Sequence, residues 1–371
     1  MQESSVGDYR VEPAPRPWWR RRWFRAALAV VLLPVFVVAG LYFYMDYQGR
    51  KELKAAIAET DALDPNWQLD DIDASLKVIP DRANAALVVI DVKSLLPSPW
   101  PPRPASGVGM NPPRSLEERL ADVAFQARLD PWQTRDLRAE LAKVEPAVLK
   151  ARTLADYSEG RFPFTWSSNI VSARSLCQHA RDTARLLKLD AMLLAQDGRA
   201  DEALRSGRAN VVTSRAIGDE PMLISQLVRI ACRAVAIQSI ERTLAQSQPS
   251  EDGLAMTQRL LEAEDQVSIL LICARGERAE MHALMERVES GELRLSDFTA
   301  GIGTPRNRLE DTFTDLQGRL TTRSAHAWML RWMNEWVEVA KLPAEHHSPR
   351  LAELDQAVRQ ISAANRDSIQ R

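Results

Sequence analysis

The sequence 187-LKLDAMLLAQDGRADEALRSGRANVVTSRA-216 decides the fold class, because it has the pattern of two helices joined by a short turn. Gly198 permits the turn, and Ala191 and Ala203 are small enough for two antiparallel helices to touch. This stretch therefore predicts a helical hairpin.

Helical patterns continue on both sides of this hairpin. Residues 218–221 begin a helix whose apolar positions lie mostly three or four residues apart. These positions are Leu223, Leu227, Ile230, Ala234, Ile237 and Leu244. Further helices are expected at 51–62, 69–77, 81–95, 169–196, 250–289, 305–320, 324–341 and 349–367, and from start signals at Ser115 and Asp130. Residues 86–92 could form a short strand instead, but Asp81 offers a helix start before them.

The segment from Ala26 to Met45 runs for twenty residues without a charge. Twenty helical residues cover the ~30 Å hydrocarbon core of a bilayer. Aromatic residues flank the segment on both sides, as is typical of membrane–water interfaces. The sequence therefore predicts an all-α protein with one N-terminal transmembrane helix, followed by a helical-hairpin, repeat-like (α-solenoid-like) domain.

Basic residues predict the orientation of this helix. Six arginines precede residues 26–45, whereas only Arg50, Lys51 and Lys54 follow closely. The positive-inside bias keeps residues 1–25 in the cytoplasm and exports the rest into the periplasm, so that residues 26–45 act as a signal-anchor in the inner membrane. Two alternatives stay open: a buried soluble helix, and a signal peptide cleaved after Ala39.

The exported part divides into two regions. Residues 46–114 comprise juxtamembrane helices and a linker in which positions 97–113 contain seven prolines. Residues 115–371 form the repeat-like helical domain. The chain has a net charge of −2 although its N-terminal tail is basic, so the exported part is acidic and lacks the electrostatic footprint of a nucleic-acid-binding protein.

Signatures of catalysis are missing from the sequence. There is no H-E-x-x-H, G-x-S-x-G, P-loop or S-x-x-K motif. The sequence therefore predicts no catalytic residue, no metal site and no cofactor. Cys177, Cys232 and Cys273 are interpreted either as buried free thiols or as including one Cys232–Cys273 disulfide.

Two sets of residues stand out nevertheless. Trp328, Trp332 and Trp336 lie four residues apart and form one stripe on a helix, which is either core or an interaction surface. The second set combines arginines in or near apolar stretches with nearby glutamates, which predicts buried ion pairs or an anion-binding cluster. Its members are Glu220, Arg229, Arg233, Arg275, Glu277 and Arg278.

Two resemblances agree with this fold. Residues 187–216 resemble one tetratricopeptide unit, although the large aromatics are missing and Gly207 occupies the place of one. Five segments resemble a family of membrane-anchored helical proteins from planctomycete-type bacteria. They are Asn84–Ala86, Gly160–Pro163, Gln196–Gly198, Gly218–Ile230 and Arg275–Arg278. This resemblance implies a fold and a location but no activity.

The resulting functional hypothesis is an interaction or scaffolding module of the cell envelope, anchored in lipid through residues 26–45 and bound to a protein partner. One alternative is an envelope enzyme, for instance a hydrolase, with residues that converge only in three dimensions. An enclosed polar pocket joining a carboxylate, a histidine and Arg275 would favour the enzyme. A third interpretation is a domain that only serves a neighbouring membrane complex.

Overall fold

The structure, a computed structural model, describes residues 22–98, 100, 115–163, 170–294 and 308–369. Of the described residues, 79% are α-helical and none forms a β-strand. The α-helices are α1 (Arg22–Leu63), α2 (Leu69–Ser75), α3 (Ala85–Leu95), α4 (Leu116–Ala121), α5 (Pro131–Lys143), α6 (Glu145–Arg152), α7 (Ile170–Gln196), α8 (Ala200–Arg215), α9 (Leu223–Gln246), α10 (Glu251–Asp265), α11 (Ile269–Glu289), α12 (Arg308–Ala340) and α13 (Ala344–Ile369). Single 3₁₀ turns span Asp81–Ala83 and Thr153–Asp156.

Local sequence signals set several helix starts. Ser115 and Glu118 form the predicted capping box of α4, in which each side chain binds the backbone N–H of the other. Ser250 accepts a hydrogen bond from Gly253 N at 3.1 Å and starts α10. Gly198, between α7 and α8, has a φ of +73°, which confirms its predicted turn.

Other predicted boundaries differ from the structure. Asn84, rather than Asp81, caps α3, and residues 86–92 lie inside that helix. The predicted helices 305–320 and 324–341 are one continuous helix over their described part, α12. Pro349 lies inside α13 rather than at its first position. At α3 the predicted cap is thus replaced by another side-chain cap three residues later, with Asn84 accepting a hydrogen bond from Ala86 N.

The chain divides into two compact units. One holds the described residues up to Glu59 and the described part of Met285–Met329. Here Arg323 pairs with Asp46, and Glu289 lies 2.7 Å from His326 Nδ1. The apolar side chains of α1 between Leu28 and Tyr44 are largely exposed.

The other unit, Thr60–Leu284 and Leu330–Arg371, contains the main core. Helices α7, α8 and α9 pack most extensively, and α3 and α6 cover α7. Arg128 donates to the C-terminal carbonyls of both α7 and α9, at Gln196 and Gln246. Since their N-terminal ends also meet, at Cys177 and Ser225, α7 and α9 run parallel, with α8 between them in the chain.

Gly207 explains why the hairpin departs from the tetratricopeptide pattern. A Cβ at this position would lie 2.9 Å from Ile240 Cγ1 of α9. The position is therefore used for a close approach between α8 and α9 and has no room for an aromatic ring.

Candidate interaction surface

Helix α9 exposes six large apolar side chains. They are between 38% and 51% exposed, and their spacings of one, three and seven residues place them on one side of the helix. We call this set the α9 face: Leu223, Ile224, Leu227, Ile230, Ile237 and Leu244. Exposed alanines at 231 and 234 fill the middle of the face, and Glu241 is its one charge. Leu223, Leu227, Ile230, Ile237 and Leu244 belong to the stripe read from the sequence, which therefore faces solvent.

The buried side of α9 combines four core residues, Val228, Cys232, Ala236 and Ile240, with a larger number of polar ones. It includes Ser225, Gln226, Arg229, Ser239, Arg242 and Thr243. Buried polar groups are costly unless they are hydrogen-bonded. Gln226 donates to Gly218 O and Glu220 O, and Arg242 donates to the carbonyls of Val123, Ala124 and Ala127. The interior of this unit is thus adapted to the polar side of α9, which leaves the apolar side outside.

Two of the predicted cluster residues, Arg229 and Arg233, converge on a carboxylate of α10. Glu264 pairs with Arg215 and Arg233, and its Oε2 lies 3.9 Å from the Arg229 guanidinium. Arg229 also donates to Gly218 O at 2.7 Å. Burial lowers the pKa of Arg229 to about 10, partly offset by Glu264, so the group stays charged at neutral pH. Through these contacts with Glu264, the arginines link α8, α9 and α10 inside the protein.

Arg275 and Arg278 form a second, separate cluster. Both bind Asp64, with Arg275 Nε 2.8 Å from Asp64 Oδ2. Arg278 also donates to Asn334 Oδ1 at 2.9 Å and lies 5.3 Å from the centre of the Trp67 ring. Burial alone would raise the pKa of Asp64, but the two arginines outweigh it and lower that pKa.

This second cluster brings together a carboxylate, a histidine and Arg275. His282 stacks on Trp67 with ring centres 4.6 Å apart. Arg278, Trp67 and His282 are all buried. Because these side chains pack on one another and are paired, the arrangement resembles a structural ion pair and not an open polar pocket.

The two glutamates of the predicted set lie apart, near the start of α9. Glu277 accepts a hydrogen bond from Leu223 N at 2.9 Å. Glu220 is buried and neither of its carboxylate oxygens makes a hydrogen bond of ordinary geometry. Burial raises the pKa of Glu220 to about 7, against smaller opposing effects of the Ser225 hydroxyl and Arg161. Glu220 is therefore a buried carboxyl that is largely neutral below pH 7.

The three tryptophans differ in environment. Trp328 is 47% exposed, whereas Trp332 and Trp336 are half-buried. The rings of Trp332 and Trp336 meet edge to face, 5.6 Å apart. Trp336 also packs against the small apolar cluster of Ala274, Val337 and Ala340. Within this set, exposure falls along α12 towards its C-terminus.

The three cysteines are free and buried, so Cys232 and Cys273 do not form a disulfide. Burial raises the pKa of Cys177 to about 11, that of Cys232 to about 12 and that of Cys273 to about 11. A thiol with such a pKa is almost entirely protonated at neutral pH and is a poor nucleophile. Among the described residues, no group of three His, Cys, Asp or Glu side chains is placed to hold a metal ion.

A basic line on α7 runs beside the α9 face. It consists of Arg181, Arg185 and Lys188, at steps of four and three residues. Lys188 Nζ lies 3.2 Å from Gln238 Oε1 of α9. Arg185 faces Glu117 at 3.6 Å. Arg181 is exposed and makes no ion pair with any residue that the structure describes.

Sequence reasoning grouped the arginines but missed their partners Asp64, Glu264 and Asn334. Asp64 lies 211 and 214 residues before the two arginines that bind it. Sequence reasoning also missed that the α9 stripe is exposed. The sequence did contain a signal that the stripe is exposed. The opposite side of α9 carries Ser225, Ser239 and Thr243 rather than the Lys and Glu of a solvated face.

No known protein family, no curated protein and no solved structure matches this chain. The tetratricopeptide and planctomycete-type resemblances therefore stay predictions. The function has to be argued from the geometry described above.

Proposed function

We propose that this chain is a membrane-anchored, extracytoplasmic helical protein that serves as an interaction or scaffolding module of the cell envelope. The observation that carries the proposal is the exposed α9 face on a helix with a polar buried side. A helix that serves only the core of its own protein buries its apolar stripe. In α9, large apolar residues instead lie outside, where a partner can cover them.

The size of the α9 face supports this role. Its six large side chains expose roughly 500 Å² of apolar surface, a patch of the size that is often functional on monomeric proteins. At about 25 cal/mol per Å², full coverage releases on the order of 12 kcal/mol before the costs of association. That gross value is large enough to support a specific complex.

The N-terminal helix supplies the anchor in this proposal. By length and composition, the segment Leu28–Leu63 of α1 and the whole of α9 can cross a membrane. Helix α9 buries Arg229 and Arg242 inside its own unit, which favours a core helix with one exposed side. The exposed apolar surface of α1 and the arginines before it favour a membrane span with a cytoplasmic N-terminus. The parallel α7 and α9 with α8 between them in the chain are compatible with a repeat-like stack of hairpins.

An enzyme receives less support from the same geometry. The carboxylate, histidine and arginine that converge near Asp64 are paired with one another or packed together, and the buried thiols are protonated. The interaction module therefore remains the leading proposal.

Membrane topology tests the first half of the proposal. A periplasmic-type reporter fused after Arg371 should be active, and the full chain should stay with membranes after carbonate washing. A matched fusion at the N-terminus should be inactive. Reporter activity only at the N-terminus, or release of the chain by carbonate, would contradict the proposed anchor and orientation.

Photocrosslinking tests the second half. A benzophenone amino acid at Ile230, on the α9 face, should give discrete protein adducts in native membranes. The same probe at Leu149, an equally exposed apolar residue on α6, is the matched control and should give few. Equal labelling from both positions, or adducts to lipid alone, would count against a protein-binding face.

A further inference from the structure

We infer that the α9 face is covered by the same face of a second copy of this chain, with the two α9 helices antiparallel about a two-fold axis near Ala234. The inference rests on the proposed interaction function and names the partner. A two-fold interface requires a surface that is complementary to itself. The distribution of size, charge and area on the α9 face meets that requirement.

Small residues lie in the middle of the face, and large apolar residues lie towards both ends. From Leu223 to Leu244 it extends about 32 Å at the helical rise per residue. Ala231 and Ala234 occupy the middle, where two crossing helices come closest, and small residues there allow close approach. An antiparallel partner centred on Ala234 places Ile224 opposite Leu244 and Ala231 opposite Ile237, so that apolar side chains meet on both sides of the centre.

The charges are complementary in the same arrangement. Glu241 is exposed and has no ion pair among the described residues. The contacts from Cys177 to Ser225 and from Lys188 to Gln238 place Arg181 level with residues 229–231 of α9. The two-fold axis brings Glu241 of the second copy to the level of Leu227, within reach of the long Arg181 side chain. Two Arg181–Glu241 pairs would thus form across the interface.

The single acidic residue also argues against lipid as the occupant. A carboxylate such as that of Glu241 is costly within a face that is inserted into a membrane. A second copy instead offers Glu241 a cation. The charge pattern therefore favours a protein surface that carries this same sequence.

The area is also sufficient. The six large side chains supply roughly 500 Å² of the ~800 Å² that each partner contributes to a standard interface. Ala231 and Ala234 within the face, and Gln238 and Arg181 beside it, add to this area. Two chains anchored in one membrane would also meet at a raised effective concentration.

Cysteine crosslinking of the full chain in its membranes tests the inference. Ala234→Cys should give a disulfide-linked or short bismaleimide-linked dimer, because the two copies meet at this position. The native cysteines are buried and should stay silent. Ala139→Cys, at an exposed alanine of α5, is the matched control and should give at least tenfold less dimer. Equal yields from the two variants would overturn the inference.

Two sets of second-site variants make the result specific. Ile230→Glu in the Ala234→Cys background should reduce the dimer at least tenfold, whereas Leu149→Glu should leave it unchanged. Glu241→Arg should reduce the dimer, and addition of Arg181→Glu should restore it, because the pairs re-form with reversed charges. The proposed register is refuted if Ile230→Glu does not weaken the Ala234→Cys crosslink. It is also refuted if Arg181→Glu does not restore the dimer in the Glu241→Arg variant.

Failure of this inference can be told apart from failure of the proposed function. If photoprobes at Ile230 capture other proteins while Ala234→Cys gives no dimer, the interaction function stands and self-association is wrong. If neither experiment gives a protein adduct above its control, both are wrong.

Discussion

Helices α7 and α9 lie side by side and run in the same direction, yet they are built in opposite ways. Helix α7 buries Leu186, Leu187 and Leu189 and leaves Arg181 at the surface. Helix α9 buries Arg229 and Arg242 and exposes a row of leucines and isoleucines. The difference shows that an apolar period identifies which residues share a face, while the neighbouring helices decide whether that face points to the core or to a partner.

The largest loss of stability is expected from a substitution that removes the ion pairs on the buried side of α9. Glu264→Gln should lower the free energy of unfolding by about 3 kcal/mol, because the buried Arg229 and the partly buried Arg215 and Arg233 then lose their carboxylate. Urea denaturation of the detergent-solubilised full chain measures this change. The exposed Glu262→Gln on the same helix is the control and should change stability by less than ~0.5 kcal/mol. Equal unfolding free energies of the two variants would mean that α9 does not depend on the ion pairs at Glu264.

The next loss of stability, of similar size, is expected from a substitution in the apolar core around α7. Leu187→Ala should cost about 3 kcal/mol of unfolding free energy, since Leu187 is fully buried and its removal leaves a cavity. The same urea titration applies. Leu149→Ala, at an exposed leucine, serves as the comparison, and a loss as small as that of Leu149→Ala would show that α7 is not the core helix.

Protonation of Glu220, near the start of α9, should make the stability of the protein depend on pH. The pKa of Glu220 is raised from 4.5 to about 7 by burial, so the folded state binds the proton more tightly than the unfolded state. Stability contributed by the neutral form is therefore full below pH 4.5 and is lost as pH rises from 4.5 through 7, by about 3 kcal/mol. Glu220→Gln should remove this loss and make the protein more stable than wild type at pH 8. Thermal melts at pH 5 and pH 8 measure it, with the exposed Glu262→Gln as control; parallel melting curves of wild type and Glu220→Gln would refute the assignment.

The smallest effect on folding is expected on the α9 face itself. Leu227→Ser should change the unfolding free energy of the dilute, monomeric chain by less than ~0.5 kcal/mol, because half of this side chain is already in water. A loss above ~2 kcal/mol would place Leu227 in the core, where large-to-small changes cost that much. In that case the comparison of α7 with α9 would no longer hold.

The sequence was sufficient for the helical class, the hairpin at Gly198 and the capping box at Ser115, because these depend on local patterns and turn chemistry. The stripe on α9 was also visible in the sequence, but its exposure was not. Exposure depends on whether the opposite side finds partners such as the carbonyls of Val123 and Ala127, which lie 115 to 119 residues away.

The candidate cluster residues illustrate the same limit. Arginines 229 and 233 were recognised as charges that needed partners, and the partner is Glu264, 31 residues or more further along the chain. Arg275 and Arg278 were placed in the same set but bind Asp64, more than 200 residues earlier. Spacing in the sequence shows that a buried arginine requires a carboxylate, and only the tertiary structure shows which one.

The contacts at the end of α9 bear on the order in which the chain can become structured during synthesis. The turn after α4 has its carbonyls at Val123, Phe125 and Ala127 bound by Arg242 and Gln246. These two side chains are made more than 110 residues later, which at 5–20 residues per second is a delay of roughly 10 s. The carbonyls of residues 122–129 therefore stay hydrated until α9 has emerged, so this early turn reaches its final hydrogen bonding only after a helix that lies far along the chain has been made.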